Sequence, residues 1–279
     1  MSATTVSAPQ VRAEPSSPRS AARVFWYGGL MSYGMLFNWA RPSIYIPTLI
    51  GGPTFQLLFF AALGSYATNL SPAYFAIGNA VQVSALAGVF GMTMAIANER
   101  WFGTLPALLA TPANRAALFT GRFLPHIVNG LLVSLYAFAL GIVFLGVRLE
   151  PATLGIVALA LVVTVFSCTA IGALQGSISL RLRDGLFGAN LVMMAILLFC
   201  GVNIPRQVLP GWMQLIGELL PFTHGLEAIR QAADGAGLDR VGGLIAIELG
   251  VGIAYAVAAF LLWSFLERSA RQNATLDVR

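Results

Sequence analysis

The chain has 279 residues, of which 57% are hydrophobic and 10% charged, whereas ordinary soluble domains carry about 25% charged residues. All sixteen basic residues are arginine, which excludes a phosphate-binding loop of the G-x-x-x-x-G-K-[ST] type, so any ATP chemistry must belong to another chain. The formal charge of +5 and pI near 9.7 fit arginines that orient membrane spans better than a nucleic-acid surface.

The apolar residues gather into runs long enough to cross a bilayer as helix, which takes about 20 residues. They lack the two-residue alternation of barrel strands. The expected fold class is therefore all-α and polytopic, with six transmembrane helices, an N-terminal interfacial helix and an outer re-entrant helical hairpin.

In chain order, residues 1–22 are rich in Ser, Ala, Thr and Pro and lack the apolar core of a signal peptide. They are expected to form a disordered cytoplasmic tail, with the first span as insertion signal. Residues 20–41 place Phe25, Trp26, Tyr27, Tyr33, Phe37 and Trp39 between Arg23 and Arg41. That pattern suits a helix lying in the membrane interface; the alternative, a short seventh span, upsets the charge balance.

The spans are expected at 43–66, interrupted by Gly51, Gly52 and Pro53, and at 73–97, 123–147, 152–180, 186–204 and 241–266. Six spans put both termini on one side. That side holds every arginine except Arg148, Arg206, Arg230 and Arg240, so by the positive-inside rule the termini are cytoplasmic. Residues 23–267 form the membrane domain and 268–279 a second cytoplasmic tail.

Several residues within the apolar runs carry open readings. Glu248, inside the last span, is either a cation or proton-coupling site or a structural carboxyl paired with an arginine or histidine of the hairpin. His126 and His224 lack ligand-spaced partners, so no metal site is expected, and both are read as making helix-end hydrogen bonds. Glu227 and Arg230 stand three residues apart, close enough to pair on a helix. Cys168 and Cys200 read as buried free thiols, and Gly172-x-x-x-Gly176 is a weak packing signal.

Two segments break the membrane pattern. The loop from Asn98 to Arg122 reads NERWFGTLPALLATPANRAALFTGR, and residues 205–236 are apolar but broken by proline, glycine and charge. Full lipid exposure of each such charge costs about 2.5–3.5 kcal/mol; a hairpin that dips into the outer leaflet against protein avoids that cost.

These two segments carry a family resemblance. Glu99, Arg100, Gly103, Thr104, Leu105, Leu108, Leu109, Thr111, Pro112 and Arg115 match the pattern E-R-x-x-G-T-L-E-x-L-L-x-T-P-x-x-R, with Pro106 replacing its second glutamate. Gly201, Pro205, Leu209, Pro210, Trp212, Leu220, Pro221, Thr223, His224 and Arg230 match the G-x-x-x-P, L-P, Trp and L-P-x-T-H pattern with its downstream arginine. The chain thus resembles the permease subunits of type-2 ATP-binding-cassette exporters, in particular the drug- and antibiotic-resistance branch.

The resemblance implies that residues 98–115 form a coupling helix seated in a cytoplasmic ATPase, with Glu99, Arg100 and Arg115 as charged contacts. Gly103 would permit the turn, Thr104 would cap it, and Pro106 is tolerated near a helix start. It also implies two ATPase subunits, which bind ATP and Mg while this chain holds no cofactor and catalyses nothing, and a second permease, identical or sister. The substrate pathway would lie on the second and fifth spans, with Asn79, Gln82, Asn190, Met193, Met194, Phe199 and Asn203 as candidates; methionine and aromatic surfaces suit varied apolar ligands. Pro205, Pro210, Trp212, Pro221, His224, Glu227 and Arg230 would shape the hairpin. The implied location is the cell membrane and the implied cargo a drug, antibiotic or lipid-like compound. The rivals are an ATP-independent carrier or channel, for which paired broken helices are expected, and a polytopic membrane enzyme, which would want clustered acids or a metal motif.

Overall fold

The computed structural model describes residues 22–30, 42–67, 70–101, 114–181 and 185–273, and no strand occurs among them. In order the helices are α1 (22–30), α2 (Pro42–Ala67), α3 (Pro72–Trp101), α4 (Arg115–Gly121), α5 (Phe123–Leu145), α6 (Leu154–Ser179), α7 (Gly185–Phe199), α8 (Gly211–Leu219), α9 (Thr223–Ala233) and α10 (Leu238–Asn273). The stretches Pro72–Asn98, Ala116–Leu145, Pro151–Ser179 and Leu238–Ser269 are long and apolar enough to cross a membrane; Ile50–Gly64 and Gly185–Phe199 are apolar but shorter.

The expected interruption of the first span does not occur. α2 runs unbroken through Pro47 and Pro53, and within it Thr54 Oγ1 donates to the Ile50 carbonyl at 2.6 Å, the i−4 back-bond that a threonine makes inside a helix. α4 is also a separate turn of helix before the third long element. Asn114 starts it by accepting the Ala117 N–H at 3.1 Å, as an N-cap residue does.

α3 and α6 form the centre of the bundle, with α5 and α10 packed against them. Inside a membrane, lipid tails are as apolar as leucine, so close backbone approach and interhelical hydrogen bonds decide which faces meet. Here a Cβ on Gly172 would lie 2.8 Å from the Gly88 and Val89 carbonyl oxygens, and one on Gly176 would lie 3.2 Å from Thr93 Cα. The Gly172-x-x-x-Gly176 pattern is therefore the crossing point of α6 on α3. Polar contacts reinforce it: Thr93 Oγ1 donates to the Gly172 carbonyl at 3.1 Å, and Ser134 Oγ of α5 to that of Ala80 on α3 at 2.7 Å.

α1 crosses α4 where Gly29 meets the Gly121 backbone, and it leaves Trp26, Tyr27 and Leu30 exposed. An aromatic surface of this kind is what a headgroup-level helix requires.

Candidate functional site

Residues 102–113 lie outside the described residues, so Gly103, Thr104, Leu105, Leu108, Thr111 and Pro112 have no place in the geometry below. Glu99 and Arg100 belong to the end of α3, and Arg115 opens α4. The loop thus emerges from one central helix and returns into a short helix that leads directly into another.

Three of the seven candidate pathway residues come together around a residue that the pathway reading missed. Gln56 on α2 donates through Nε2 to Asn79 Oδ1 at 3.1 Å and also to Gln82 Oε1. Asn79 on α3 in turn donates to Asn203 Oδ1 at 2.8 Å and to the Phe75 carbonyl at 2.9 Å. Asn79 and Gln82 are buried. Side-chain amides have both donors and acceptors and can hydrogen-bond in chains without any charge. The result is an uncharged polar strip joining α2, α3 and the segment after α7. Gln56 had a usable signal, an amide alone in an apolar run one turn before Phe60, but nothing in the run specifies its partners.

The α7 candidates divide. Met193 is buried in the main core, whereas Met194 is exposed and Asn190 returns its amide to the Leu186 carbonyl of its own helix. Phe199 ends α7 with its ring edge-on to Trp212, 6.2 Å away. Asn190 and Met194 share an outward face with Phe187 and Leu191; they do not join the amide strip.

The hairpin is a folded unit. Pro205 precedes a single 3-10 turn, and the Pro210 carbonyl accepts the Met213 and Gln214 N–H groups at the start of α8. Pro221 leads into Phe222, whose φ of 103° is a conformation that non-glycine residues rarely adopt. Thr223 Oγ1 ties the two helices by donating to the Gly217 carbonyl at 2.5 Å.

The expected Glu227–Arg230 pair is absent. Arg206 takes that role, reaching Glu227 at 3.5 Å and Glu218 at 3.2 Å, while Gln231 also donates to Glu227. Arg230 points the other way. Its guanidinium donates to the Gly201 carbonyl at 2.8 Å, the Val202 carbonyl at 2.9 Å and the Tyr74 carbonyl at 3.3 Å, and it stacks 3.7 Å from the Tyr74 ring centroid. A planar cation with five donors can satisfy several helix-end carbonyls at once and still use its π-face. The three-residue spacing was compatible with a pair, but the carbonyls freed where α7 ends were the stronger claim on the arginine.

His126 also departs from expectation. Neither ring nitrogen of His126 has a hydrogen-bond partner among the described residues, and Nδ1 of His224 is likewise unpartnered. Burial, reinforced by the nearby Arg206 charge, holds the His224 imidazole below its ordinary pKa. No group of three or more metal-capable side chains occurs among the described residues.

Glu248 is fully buried in α10. Of its two open readings, the structural carboxyl is the one its contacts resemble, with a hydroxyl and backbone N–H groups in place of an arginine or imidazole side chain: it accepts from Ser167 Oγ, from the Phe222 N–H at 2.6 Å and from the Gly225 N–H at 3.1 Å, with the His224 N–H also directed at it.

These features define a class: an all-helical membrane permease with small residues and amides at its centre and a structured hairpin at one end. Residues 28–233 match the family model described as ABC-2 type transporter. The chain belongs to that family and is a membrane subunit of an ABC exporter. It is 26% identical over 260 residues to the probable doxorubicin resistance ABC transporter permease protein DrrC of Mycobacterium tuberculosis, an alignment that covers 86% of this chain and 89% of the relative. It is 24% identical over 167 residues to the probable multidrug ABC transporter permease YbhR of Escherichia coli K12, covering 60% of this chain and 45% of that one.

Proposed function

We propose that this chain supplies the substrate pathway of an exporter powered by two separate cytoplasmic ATPase subunits, and that it works as a pair with a second copy or a sister permease. ATP and Mg are bound by the partner ATPases, and residues 98–115 receive their motion on the cytoplasmic side, where both termini also lie. Six helices, α2, α3, α5, α6, α7 and α10, cross the cell membrane, and the α8–α9 hairpin enters it from outside.

The observation that carries this reading is the strip of Gln56, Asn79, Gln82 and Asn203 within apolar helices. It offers hydrogen bonds without charge, which suits an amphiphilic drug, antibiotic or lipid-like compound more than an inorganic ion. The names of the two relatives lean toward drugs. The absence of lysine from the whole sequence supports a separate engine.

Co-purification tests the core of the proposal: a cytoplasmic ATPase should accompany the tagged permease in fixed ratio. Glu99→Ala or Gly103→Leu should then abolish transport and permease-stimulated ATP hydrolysis while the chain still inserts. Transport in proteoliposomes that contain only this permease would sink the reading.

A further inference from the structure

α9 begins without a cap of its own. Its N-cap residue is Phe222, which has no side chain able to accept the orphan N–H groups of the first turn. In a capping box, the N-cap side chain accepts the N–H of the third helical residue, and that residue's side chain accepts the N-cap N–H. Here a single carboxylate from another helix satisfies both. Glu248 Oε1 accepts the N–H of Phe222, the N-cap, and Oε2 accepts that of Gly225, the third residue of α9. When ionised, the carboxyl also faces the positive end of the α9 dipole, where an anion is favoured.

The position of this cap gives it a wider reach. Ser167 of α6 donates to the same Oε1, so the carboxylate touches three helices. At 1.5 Å per residue, Glu248 lies about 15 Å along α10 from Leu238. Further along α10, Tyr255 donates through its hydroxyl to the Leu219 carbonyl at 3.2 Å. The turn between α8 and α9 is thus held against the middle of α10, and Phe222 keeps its unusual φ with its N–H satisfied.

We infer that Glu248 is a positioning residue: it caps α9 from a distance and fixes the outer hairpin to α6 and α10, so that the hairpin moves with those two helices during transport. The carboxylate is occupied by the Ser167 hydroxyl and by backbone N–H groups at the start of α9, and is not a vacant cation site. The consequence for transport rests on the exporter reading above; the fixing of the hairpin does not.

Amide hydrogen exchange on the purified full-length permease in lipid nanodiscs tests the fixing directly, with no cargo or ATPase needed. In Glu248→Gln the amides of 222–225 should exchange at least tenfold faster, while those in the middle of α6 keep their protection. Ser167→Ala, a milder change, should speed the same amides several-fold and carries the test if the first variant does not fold; Glu248→Asp should restore part of the protection. Unchanged exchange at 222–225 overturns the inference, and so does acceleration spread evenly over α6 and α10, which marks general loosening.

The transport arm uses doxorubicin fluorescence in proteoliposomes with the ATPase present. Glu248→Gln should lower doxorubicin efflux at least tenfold and leave ATP hydrolysis within twofold of wild type. Equal losses in both overturn the coupling role. If no ATPase partner exists, the exporter reading fails while the exchange result stands.

Discussion

α6 and α10 are both strongly apolar, yet they live in different surroundings. Of the most apolar stretch of Pro151–Ser179, 61% is buried, against 22% for that of Leu238–Ser269. Apolarity therefore does not decide which helix becomes the centre of a membrane bundle. The buried face of α6 carries Thr164, Ser167, Cys168, Thr169, Gly172, Gly176, Ser177 and Ser179. α10 instead shows Ile247, Ile253, Val257, Leu261 and Phe265 to the outside. Where lipid is as good a solvent for leucine as protein is, small and weakly polar residues bring helices together.

The sharpest break of that comparison is a pair of glycine substitutions. Gly172→Leu drives a side chain into the backbone of Gly88 and Val89 and should cost at or above the upper end of the roughly 1–3 kcal/mol typical of overpacking, read as a lost or strongly lowered thermal transition in detergent. Gly250→Leu on α10 meets nothing within 4 Å and should be neutral or stabilising by up to about 1 kcal/mol from helix propensity. Similar losses from both would show that the two helices are equally packed.

Next in size is Arg230→Ala, which strips charged donors from the Gly201 and Val202 carbonyls. Hydrogen bonds to charged groups are worth about 1.5–3 kcal/mol, and thermal stability should fall accordingly. Arg230→Lys should recover only part, since a point charge cannot span the same carbonyls and stack on Tyr74.

The smallest effects belong to the hairpin surface. Glu218→Gln removes an ion pair whose carboxylate is 55% exposed, and pairs of that kind contribute about 0–1 kcal/mol. His224 adds a pH dependence of definite sign. Its folded pKa is depressed by burial and by Arg206, with Glu227 and Glu218 opposing, so the unfolded chain binds the proton more readily. Stability should drop as pH falls through the unfolded histidine value near about 6.5, and His224→Gln should flatten that slope in thermal scans below neutral pH.

The apolar runs announced the helices, because hydropathy reports the solvent a segment prefers. What they could not report is rotation. Asn79, Gln82 and Asn203 were recognisable as odd polar residues in such runs and do meet; Asn190 and Met194, chosen on the same ground, face outward. Glu248 stood out as an intramembrane acid, but two of its partners are backbone N–H groups, which every residue except proline possesses and which leave no trace in residue identity. Arg230 follows the same rule: its shortest hydrogen bonds go to the Gly201 and Val202 carbonyls freed by the end of α7. Charges seek partners by geometry, and side-chain spacing reveals only those partners that are side chains.

The amide strip has one last consequence. None of its four members titrates or carries charge, so the two sides of a membrane can differ in acidity without altering it, and a transmembrane voltage exerts no net pull on it. On the pathway proposed above, a cargo would meet an electrically silent passage at this strip.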